Sequence, residues 1–380
     1  MKPLRVVVVA DFIEPFNFNQ RVLHGVAPYA RMHGWELYQY HIKDKSRVAN
    51  ALDGADAVLH GVHNWEEEPL FRRTRLPMVG WSASITKTKW PRVLTDDKRV
   101  GAMVAEHLLA RGFRQFAFYS ENGGQWMGHR RDAFAAKVLA GGGEVSLNPN
   151  DIKPHFDDVV AWLSKLPTPL GVMTADTLAS TTIIQACRVL SRNIPDDVAV
   201  VAVNNDDLFC EISDPTLSAV PLQTEQIGFE AATLLAQLIE HKQVPHTVLV
   251  QPGELVVRRS SDAMAFSDPD VVEAMKFIKA HFSTGVATKQ VIAHVGVSRG
   301  TLDAKFQAML GRTVASEIRR LSIEKAKQLL STSELPMPAV ARHSGFSSAR
   351  QFSETFHHST GQTPTGYRRQ YQIGAKSRDR

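Results

Sequence analysis

The segment Phe306-Gln307-Ala308-Met309-Leu310-Gly311-Arg312-Thr313 decides the architecture of the C-terminal third of this 380-residue chain, because its pattern occurs twice. The spacing Phe-x4-Gly-x-Thr begins at Phe306 and again at Phe356, an offset of 50 residues. Upstream of each copy lies an apolar helical segment, followed by a glycine, a hydrophobic residue and a serine, at Gly296–Ser298 and Gly345–Ser347. This order predicts two helix-turn-helix units. Two such units in one chain indicate binding to DNA.

The second helix of each unit has the two faces that a DNA-recognition helix needs. An apolar stripe, such as Leu302 and Phe306 or Phe352 and Phe356, docks on the partner helix, while polar side chains reach base edges. Serines cap both helices, and the cap of the second is predicted at Ser347. The predicted DNA-binding residues are Ser298, Arg299, Gly300, Thr301, Asp303, Ala304 and Gln307 in the first unit, and Ser347, Ser348, Arg350, Ser353 and His357 in the second.

Arg350 is the strongest candidate for a base contact, because arginine bonds guanine through two donors. A long helix over Val314–Leu330 is predicted to hold the two units about one turn of DNA apart, roughly 34 Å. Arg319, Arg320 and Arg368 follow the units at matching places and are predicted to contact phosphates. The alternative for each arginine is an ordinary exposed cation.

Charge separates the C-terminal region from the rest of the chain. Residues 268–380 carry 17 Lys and Arg against 9 Asp and Glu, a net charge of +8, whereas the remainder carries −3. A small basic domain attached to a nearly neutral one is typical of a polyanion-binding module. A basic, solvated surface without a partner is the alternative interpretation.

The first 260 residues alternate short β-branched runs with amphipathic helical stretches. This alternation predicts βαβ units and parallel sheet covered by helices on both faces, in one sheet or in two similar lobes. The candidate strands are Arg5–Ala10, Trp35–Tyr40, Ala57–Leu59, Met78–Gly80, Gln115–Tyr119, Gly171–Thr174 and Val198–Val203, with a last strand within Glu254–Asp262.

Ser267-Asp268-Pro269-Asp270 supplies an N-cap and a proline at a first helical turn, and the pattern beyond it is helical. We therefore predict an effector-sensing domain at 1–262 and a DNA-binding domain at 263–380, with helix-turn-helix units at about 288–310 and 337–358.

Composition narrows the class of protein. No run of 18 apolar residues predicts a membrane span, and the N-terminus does not resemble an export signal. Only Cys187 and Cys210 are present, which is typical of a reducing compartment. We therefore expect a cytoplasmic, nucleoid-associated protein without a membrane partner.

Motifs of catalysis are missing from the sequence. Neither a G-x-G-x-x-G phosphate loop nor a G-x-S-x-G elbow occurs. His60-x-x-His63 beside Glu66–Glu68 lacks the helical i, i+4 spacing of a zinc site. Cys210 has no identifiable catalytic partner. The prediction is a protein that is not an enzyme and has neither metal nor cofactor.

The C-terminal region resembles the AraC family of transcription regulators over about residues 268–372. The resemblance rests on Ala341-Arg342-His343-Ser344-Gly345-Phe346-Ser347, on Phe352 and Phe356, and on Gly361-Gln362-Thr363-Pro364-Thr365-Gly366-Tyr367-Arg368. It implies that both recognition helices enter the major groove. The chain departs from the family at Gly300 and Ala304, where longer base-reading side chains are common.

Residues 1–262 resemble the periplasmic-binding-protein-like sensor of LacI-type repressors. The motifs that carry this resemblance occur in the expected order: Trp126–Phe134, Thr174–Ala179, Ile194–Asn205, Leu217–Val220, Gly228–Ala232 and Val256–Ser261. It implies a two-lobed α/β sensor that closes on a small molecule and forms a homodimer. A sensor followed by an AraC-type domain is similar to the regulators of xylose operons, which implies a sugar effector, xylose or a related pentose.

Sugar recognition needs forked polar groups for hydroxyls and aromatic rings for the apolar faces. The predicted effector-binding residues are Phe18, Asn19, Trp65, Trp126, Arg130, Asp176, Asn204 and Asn205. The resemblance implies an aspartate where this chain has Asn204, and an amide cannot accept two hydroxyl hydrogens as a carboxylate does. Expected partners are an operator, the sugar and, for an activator, RNA polymerase. The alternatives are a hexose or purine effector, or a sugar-binding protein without a regulatory role.

Overall fold

The computed structural model describes residues 3–12, 18–61, 71, 74–84, 88–121, 125–148, 155–266 and 268–371. The chain forms two compact units. The first comprises Met1–Glu106 and Gln115–Asp262, and the second comprises His107–Arg114 and Ala263–Arg380. The segment His107–Arg114 packs with the second unit, where Ala265 N donates to Arg111 O at 2.8 Å. Nothing in the sequence pattern pointed to that grouping.

The first unit contains two parallel sheets. The first sheet is formed by β1 (Leu4–Ala10), β2 (Trp35–His41), β3 (Ala57–His60), β4 (Met78–Gly80), β5 (Arg92–Thr95) and β11 (Thr247–Val250), in the order β11-β5-β4-β3-β1-β2. The second is formed by β6 (Gln115–Tyr119), β7 (Glu144–Leu147), β8 (Leu170–Thr174), β9 (Val198–Val203) and β10 (Ser218–Val220), in the order β10-β9-β8-β6-β7. The chain thus leaves the first sheet after β5 and returns to it at β11. This topology confirms the two-lobed α/β fold.

Helices follow the strands of this unit. They are α1 (Phe18–Met32), α2 (Lys45–Leu52), α3 (Asp97–Leu109), α4 (Gln125–Ala140), α5 (Phe156–Ser164), α6 (Thr177–Val189), α7 (Asp207–Ile212) and α8 (Thr224–Ile239). Helices α1 and α8 share a core with the first sheet, in which Val6, Val26 and Ile227 are fully buried. A Cβ on Gly25 would lie only 1.7 Å from Glu225 O, so glycine permits the close approach of these two helices.

The prediction of a last strand within Glu254–Asp262 is wrong. Only Val256 pairs with a neighbour, as an isolated antiparallel bridge to Ala219, and Arg259–Ser261 form a 3-10 turn. Side chains replace the backbone ladder here: Ser218 Oγ donates to Arg258 O at 3.0 Å, and Ser260 Oγ donates to Val200 O at 2.6 Å. The sequence analysis also missed the short strands β5, β7, β10 and β11.

The second unit is helical. Its helices are α9 (Pro269–His281), α10 (Thr288–Val295), α11 (Arg299–Leu310), α12 (Val314–Thr332), α13 (Met337–His343), α14 (Ala349–Thr360) and α15 (Pro364–Tyr371). Phe306 is buried in a cluster around α9 to α11, and Phe356 in a second cluster around α12 to α15. Helix α12 contributes Val314 to the first cluster and Ala326 to the second, so it joins the two helix-turn-helix units as a spacer.

Candidate effector site and DNA-binding face

The ends of parallel strands collect the polar residues of the candidate effector site. In α/β folds, ligands bind at the carboxyl edge of the sheet. Asp97 lies two residues beyond β5, Asp176 lies two residues beyond β8, and Asn204 directly follows β9. Arg130, on α4, bonds to two of these strand ends. Arg130 thus joins the end of β5 in the first sheet to the end of β8 in the second, close in charge to Asp176, while Asn204 stands at the end of β9, the strand next to β8.

Arg130 is the centre of the site. Its Nε donates to Asp97 Oδ1 at 2.7 Å and its Nη1 donates to Ala175 O at 2.8 Å, while the guanidinium lies 4.4 Å from the centroid of a Trp126 ring. Arg130 and Asp97 are both about 5% exposed. Burying a single charge without a partner is costly, so each of the two charges stabilises the other in its buried position. Burial raises the pKa of Asp97, and Arg130 opposes that rise.

Sequence analysis missed Asp97. The residue follows Val93-Leu94-Thr95, a run too short to be recognised as a strand by periodicity. Once β5 is known, Asp97 stands where a polar ligand of an α/β protein is expected. A short β-branched run that ends in two aspartates was the signal available.

Asp176 caps helix α6. Its Oδ1 accepts from Ala179 N at 2.8 Å, and the side chain is buried. Burial raises the pKa of Asp176, while the Ala179 amide and Arg130 favour its charged form. The negative charge of Glu121 also raises the pKa of Asp176. Glu121 itself accepts hydrogen bonds from Tyr119, at 3.2 Å, and from Thr182. The site thus places carboxylates around one buried guanidinium, a combination that suits a ligand with many hydroxyl groups.

Asn204 carries a buried polar atom that the described residues leave unsatisfied. Its Oδ1 has no hydrogen-bond partner among them, and the same holds for the hydroxyls of Thr177 and Thr224. Asn204 also adopts a positive φ of 66°, a strained conformation held by the bond from its backbone N–H to Val220 O. An unpaired buried acceptor costs about 1–3 kcal/mol, so these three positions favour a polar ligand.

Asn19 is buried and engaged within the protein. Its Nδ2 donates to Asp11 O at 2.7 Å, and its Oδ1 accepts from Trp81 Nε1 at 2.6 Å. Phe18, at the start of α1, packs partly buried against the first sheet's core. Trp65 lies outside the described residues. A role of Asn19 and Phe18 in shaping the site stays a prediction.

Asn205 is also engaged. Its Oδ1 accepts from Arg258 at 2.8 Å and its Nδ2 donates to Asp207 at 2.9 Å. Arg258 in turn bonds Glu211 and Leu217 O. Both ends of the Asn205 amide therefore hold this corner of the second lobe together, and Asn204 is the better placed of the two asparagines for a ligand.

The groups considered for catalysis or metal binding have structural environments. No set of three metal-ligating side chains occurs in the parts of the chain that the structure describes, and His60 stacks on Phe71 with its ring buried. His63 and Glu66–Glu68 lie outside those parts. Burial raises the pKa of the Cys210 thiol to about 11, which disfavours a reactive thiolate.

The recognition helices α11 and α14 present the predicted faces. Ser298 caps α11 by accepting from Thr301 N. The cap of α14 is Ser348, which accepts from Gln351 N, so the prediction of Ser347 was one residue early. Ser347 instead donates its hydroxyl to the side chain of Gln351 at 2.7 Å. Two adjacent serines before a helix cannot be told apart by sequence, because either can cap.

The outward residues of these helices are exposed. In α11 the exposed positions are Arg299, Gly300, Thr301, Ala304 and Gln307, and in α14 they are Arg350, Ser353 and His357. Asp303 is less free, since its Oδ1 accepts from Val314 N at 3.0 Å. DNA contact by each of these residues stays a prediction.

The three predicted phosphate-binding arginines differ in environment. Arg319 is exposed. Arg320 makes two hydrogen bonds to Glu317, at 2.9 and 2.7 Å, and the carboxylate of Glu317 is fully buried. Arg368 donates to Leu335 O at 2.6 Å. Arg319 is thus the arginine of this set whose side chain is best placed to meet a phosphate.

Protein-family models match both the α/β part and the helical part of the chain. A periplasmic binding protein-like domain matches residues 105–261, and a helix-turn-helix domain matches residues 291–370. The xylose operon regulatory protein of Escherichia coli (strain K12) is 27% identical over 92% of this chain and 94% of its own length. The chain is thus similar over most of its length to a xylose operon regulator. The corresponding protein of Haemophilus influenzae is 25% identical over 92% of this chain and 95% of its own length.

A solved structure supports the fold of the whole chain. The structure of the xylose-binding transcription activator xylR matches 98% of this chain and 99% of its own, with a TM-score of 0.61 and 24% identity. The two matched domains and the similarity over most of the chain indicate a transcription regulator with a helix-turn-helix domain and a periplasmic binding protein-like domain. No helix in the described residues is long and apolar enough to cross a membrane.

Proposed function

We propose that this regulator is a cytoplasmic activator that senses xylose or a related pentose and binds an operator as a homodimer. The observation that carries the proposal is that Arg130, paired with Asp97 and close in charge to Asp176, and the neighbouring strand-end residue Asn204 are all buried at carboxyl ends of the parallel strands. These residues lie in a chain that also has two helix-turn-helix units. The full-length similarity to xylose operon regulators supports the choice of sugar.

The chemistry of the site favours a polyol. Arg130 spends Nε and Nη1 on the protein, which leaves one further nitrogen to donate to a hydroxyl oxygen. Asp176 accepts backbone hydrogen bonds from Ala179 and Leu178 in its helix cap, and a carboxylate has about four acceptor sites, so it has capacity to accept a hydroxyl hydrogen as well. Asn204 Oδ1 and the hydroxyl of Thr177 add an acceptor and a mixed donor-acceptor. Trp126 supplies an apolar ring beside them.

The regulatory step requires that the sugar bind one conformation better than another. The sugar closes the two lobes of the sensor, and closure sets the geometry of the two DNA-binding units of the dimer. The regulator binds its operator in the nucleoid and recruits RNA polymerase as an activator. It uses the effector alone, with neither metal nor cofactor.

A ligand screen tests this function. Isothermal titration calorimetry and thermal denaturation of the full chain would be run with D-xylose, other pentoses, hexoses and purine nucleobases. Specific binding stabilises the folded state by about 2.7 kcal/mol at a hundredfold excess over Kd. The expected result is binding of a pentose that Arg130→Lys weakens at least tenfold, because lysine cannot fork between the same partners.

Arg131→Lys is the matched control, since Arg131 is the neighbouring residue of α4, half exposed and paired with Asp132. It should leave the affinity unchanged. Binding of a hexose or a nucleobase alone would replace the pentose assignment and keep the site. Equal weakening by both lysine variants, or no binding of any compound, would contradict the proposed effector site.

A further inference from the structure

The two recognition helices have the same length, the same type of N-cap and the same type of C-cap. Each has 12 residues, and positions correspond with an offset of 50. Each starts after a serine, Ser298 or Ser348, that accepts a hydrogen bond from the third helical amide at 3.2 Å. Each ends at a glycine of left-handed conformation, Gly311 or Gly361. Differences between the exposed side chains therefore translate directly into differences in what the helices read.

The exposed faces differ at several equivalent positions, and two of these differences concern charge on the outward face. Arg350 and Glu354 in the second helix correspond to Gly300 and Ala304 in the first. Arg350 Nε donates to Glu354 Oε1 at 2.9 Å, and the side chains are 89% and 65% exposed. A Cβ on Gly300 would meet no other atom within 4 Å. Packing within the protein thus does not require a small residue at that position of the first helix.

The charged residues of the first helix stand at other positions, and, apart from the 71% exposed Arg299, they are engaged within the protein. Lys305 pairs with Asp268 at 2.8 Å and so ties the helix to the start of α9. Asp303 accepts from Val314 N and lies 3.5 Å from Arg299, at the side where α12 begins. Its side chain is only 24% exposed. The Arg350–Glu354 pair, in contrast, is formed between two well-exposed side chains on one helix face, opposite the buried Phe352.

The chemistry of the pair suits guanine. Arginine donates to guanine O6 and N7 through two nitrogens, a contact of high base discrimination. Because Nε is used by Glu354, the two Nη groups are left to form that contact. Because the carboxylate already holds the guanidinium, the long arginine side chain loses less conformational entropy when it binds a base. The carboxylate also repels a DNA phosphate from the position beside the guanidinium.

We propose that Glu354 is a specificity-determining residue, which positions Arg350 to read a guanine in the major groove, while the first helix lacks this discrimination at the equivalent positions. The proposal rests on operator binding as the function of the chain. It assigns base choice to the second unit at these positions. At the equivalent positions of the first helix, Gly300 and Ala304 can contribute only a close approach to the DNA and apolar contacts with the bases.

Selection from a randomised duplex DNA library tests the proposal, with the full chain and a saturating effector or none. The wild-type protein is expected to enrich a motif with a guanine that R350A and E354A both lose, at a cost of about 10–100-fold in affinity for the wild-type site. E324A is the matched control, because Glu324 is a carboxylate that pairs with Lys327 on α12, away from the recognition helices. It should select the wild-type motif.

A reciprocal graft gives the second arm. G300R/A304E places the pair on the first helix and should add a guanine preference about one helical turn from the original. R350G/E354A should remove the original preference while lowering Tm only by a few degrees, the cost of a helical glycine. If E354A selects the wild-type motif, or if R350A weakens all sequences equally and lowers the salt dependence by about one counterion, Arg350 is a phosphate contact and the proposal is wrong. If the wild-type protein enriches no motif at all, operator binding itself is refuted.

Discussion

Removal of Asp97 is the most informative perturbation of the sensor. Its carboxylate and the Arg130 guanidinium form a 2.7 Å pair with both side chains about 5% exposed. Truncating one partner of such a pair costs about 3–5 kcal/mol, since the other charge stays buried without compensation. Arg130 keeps its bond to Ala175 O and its contact with Trp126, which favours the lower end, about 3 kcal/mol. For a unit of this size that corresponds to a fall in Tm of roughly 6–12 °C.

A double-mutant cycle separates the pair from its surroundings. Asp97→Ala, Arg130→Met and the double variant would be unfolded by urea and followed by circular dichroism. The double variant should be more stable than the sum of the single effects implies, by about 1–3 kcal/mol, because no unpaired charge remains. Asp132→Ala is the control, since the Asp132 side chain is 68% exposed and its pair with Arg131 is worth at most about 1 kcal/mol. Additive single effects, or a loss of stability for Asp97→Ala no greater than for the control, would refute the reasoning.

Three further predictions concern packing, DNA affinity and pH. Gly25→Ala should destabilise the protein by more than about 2 kcal/mol, because its Cβ would lie 1.7 Å from a carbonyl oxygen of α8. Gly128→Ala, in open space on α4, should instead stabilise the protein by about 0.5–1 kcal/mol. Thermal denaturation measures both changes, and a change of the same sign for the two variants would contradict the packing. Arg319→Ala should weaken operator binding and lower its salt slope by about one while Tm stays constant. Arg320→Ala should lower Tm, because the buried Glu317 would lose two hydrogen bonds and keep Arg312 as its remaining cation; a fall of Tm for both variants would contradict the assignment. The pKa of His107 is held well below its ordinary value by burial and by three cations, those of Arg111, Lys279 and Arg320. Its stabilising contribution is therefore present above the unfolded pKa of about 6.5 and is lost as pH falls below it, so His107→Gln should flatten the dependence of Tm on pH between 7 and 5, and an unchanged dependence would count against this.

The helical half could be predicted from sequence because its signals are local. The serine caps, the C-terminal glycines and the 50-residue repeat each fix a turn or a helix end. The cap of the second recognition helix was predicted one residue early, because Ser347 and Ser348 are equally good caps by sequence. The pairing of Arg320 with Glu317 was missed, because an i, i+3 pair looks the same in sequence whether its acid is buried or exposed.

The sensor half was harder because its site is made by distant segments. Long hydrophobic strands such as β9 are recognisable, whereas β5 and β10 have four and three residues and depend on their neighbours. Missing β5 hid Asp97 and with it the partner of Arg130. Arg130, Asp176 and Asn204 were found through their motifs. What the motifs could not show is that the amides of Asn19 and Asn205 are engaged by the protein, whereas Asn204 Oδ1 has no hydrogen-bond partner among the residues that the structure describes.

The central claim is that sugar binding in the sensor controls DNA binding, and the most direct test is operator affinity with and without effector. Fluorescence anisotropy of the full chain on its selected operator would be measured with and without saturating D-xylose, at fixed salt. The affinity is expected to change by at least about fivefold, within the usual range of allosteric coupling, and Arg130→Ala is expected to abolish the change while the effector-free affinity is kept. Identical affinities in the presence and absence of a pentose that calorimetry shows to be bound would contradict the central claim.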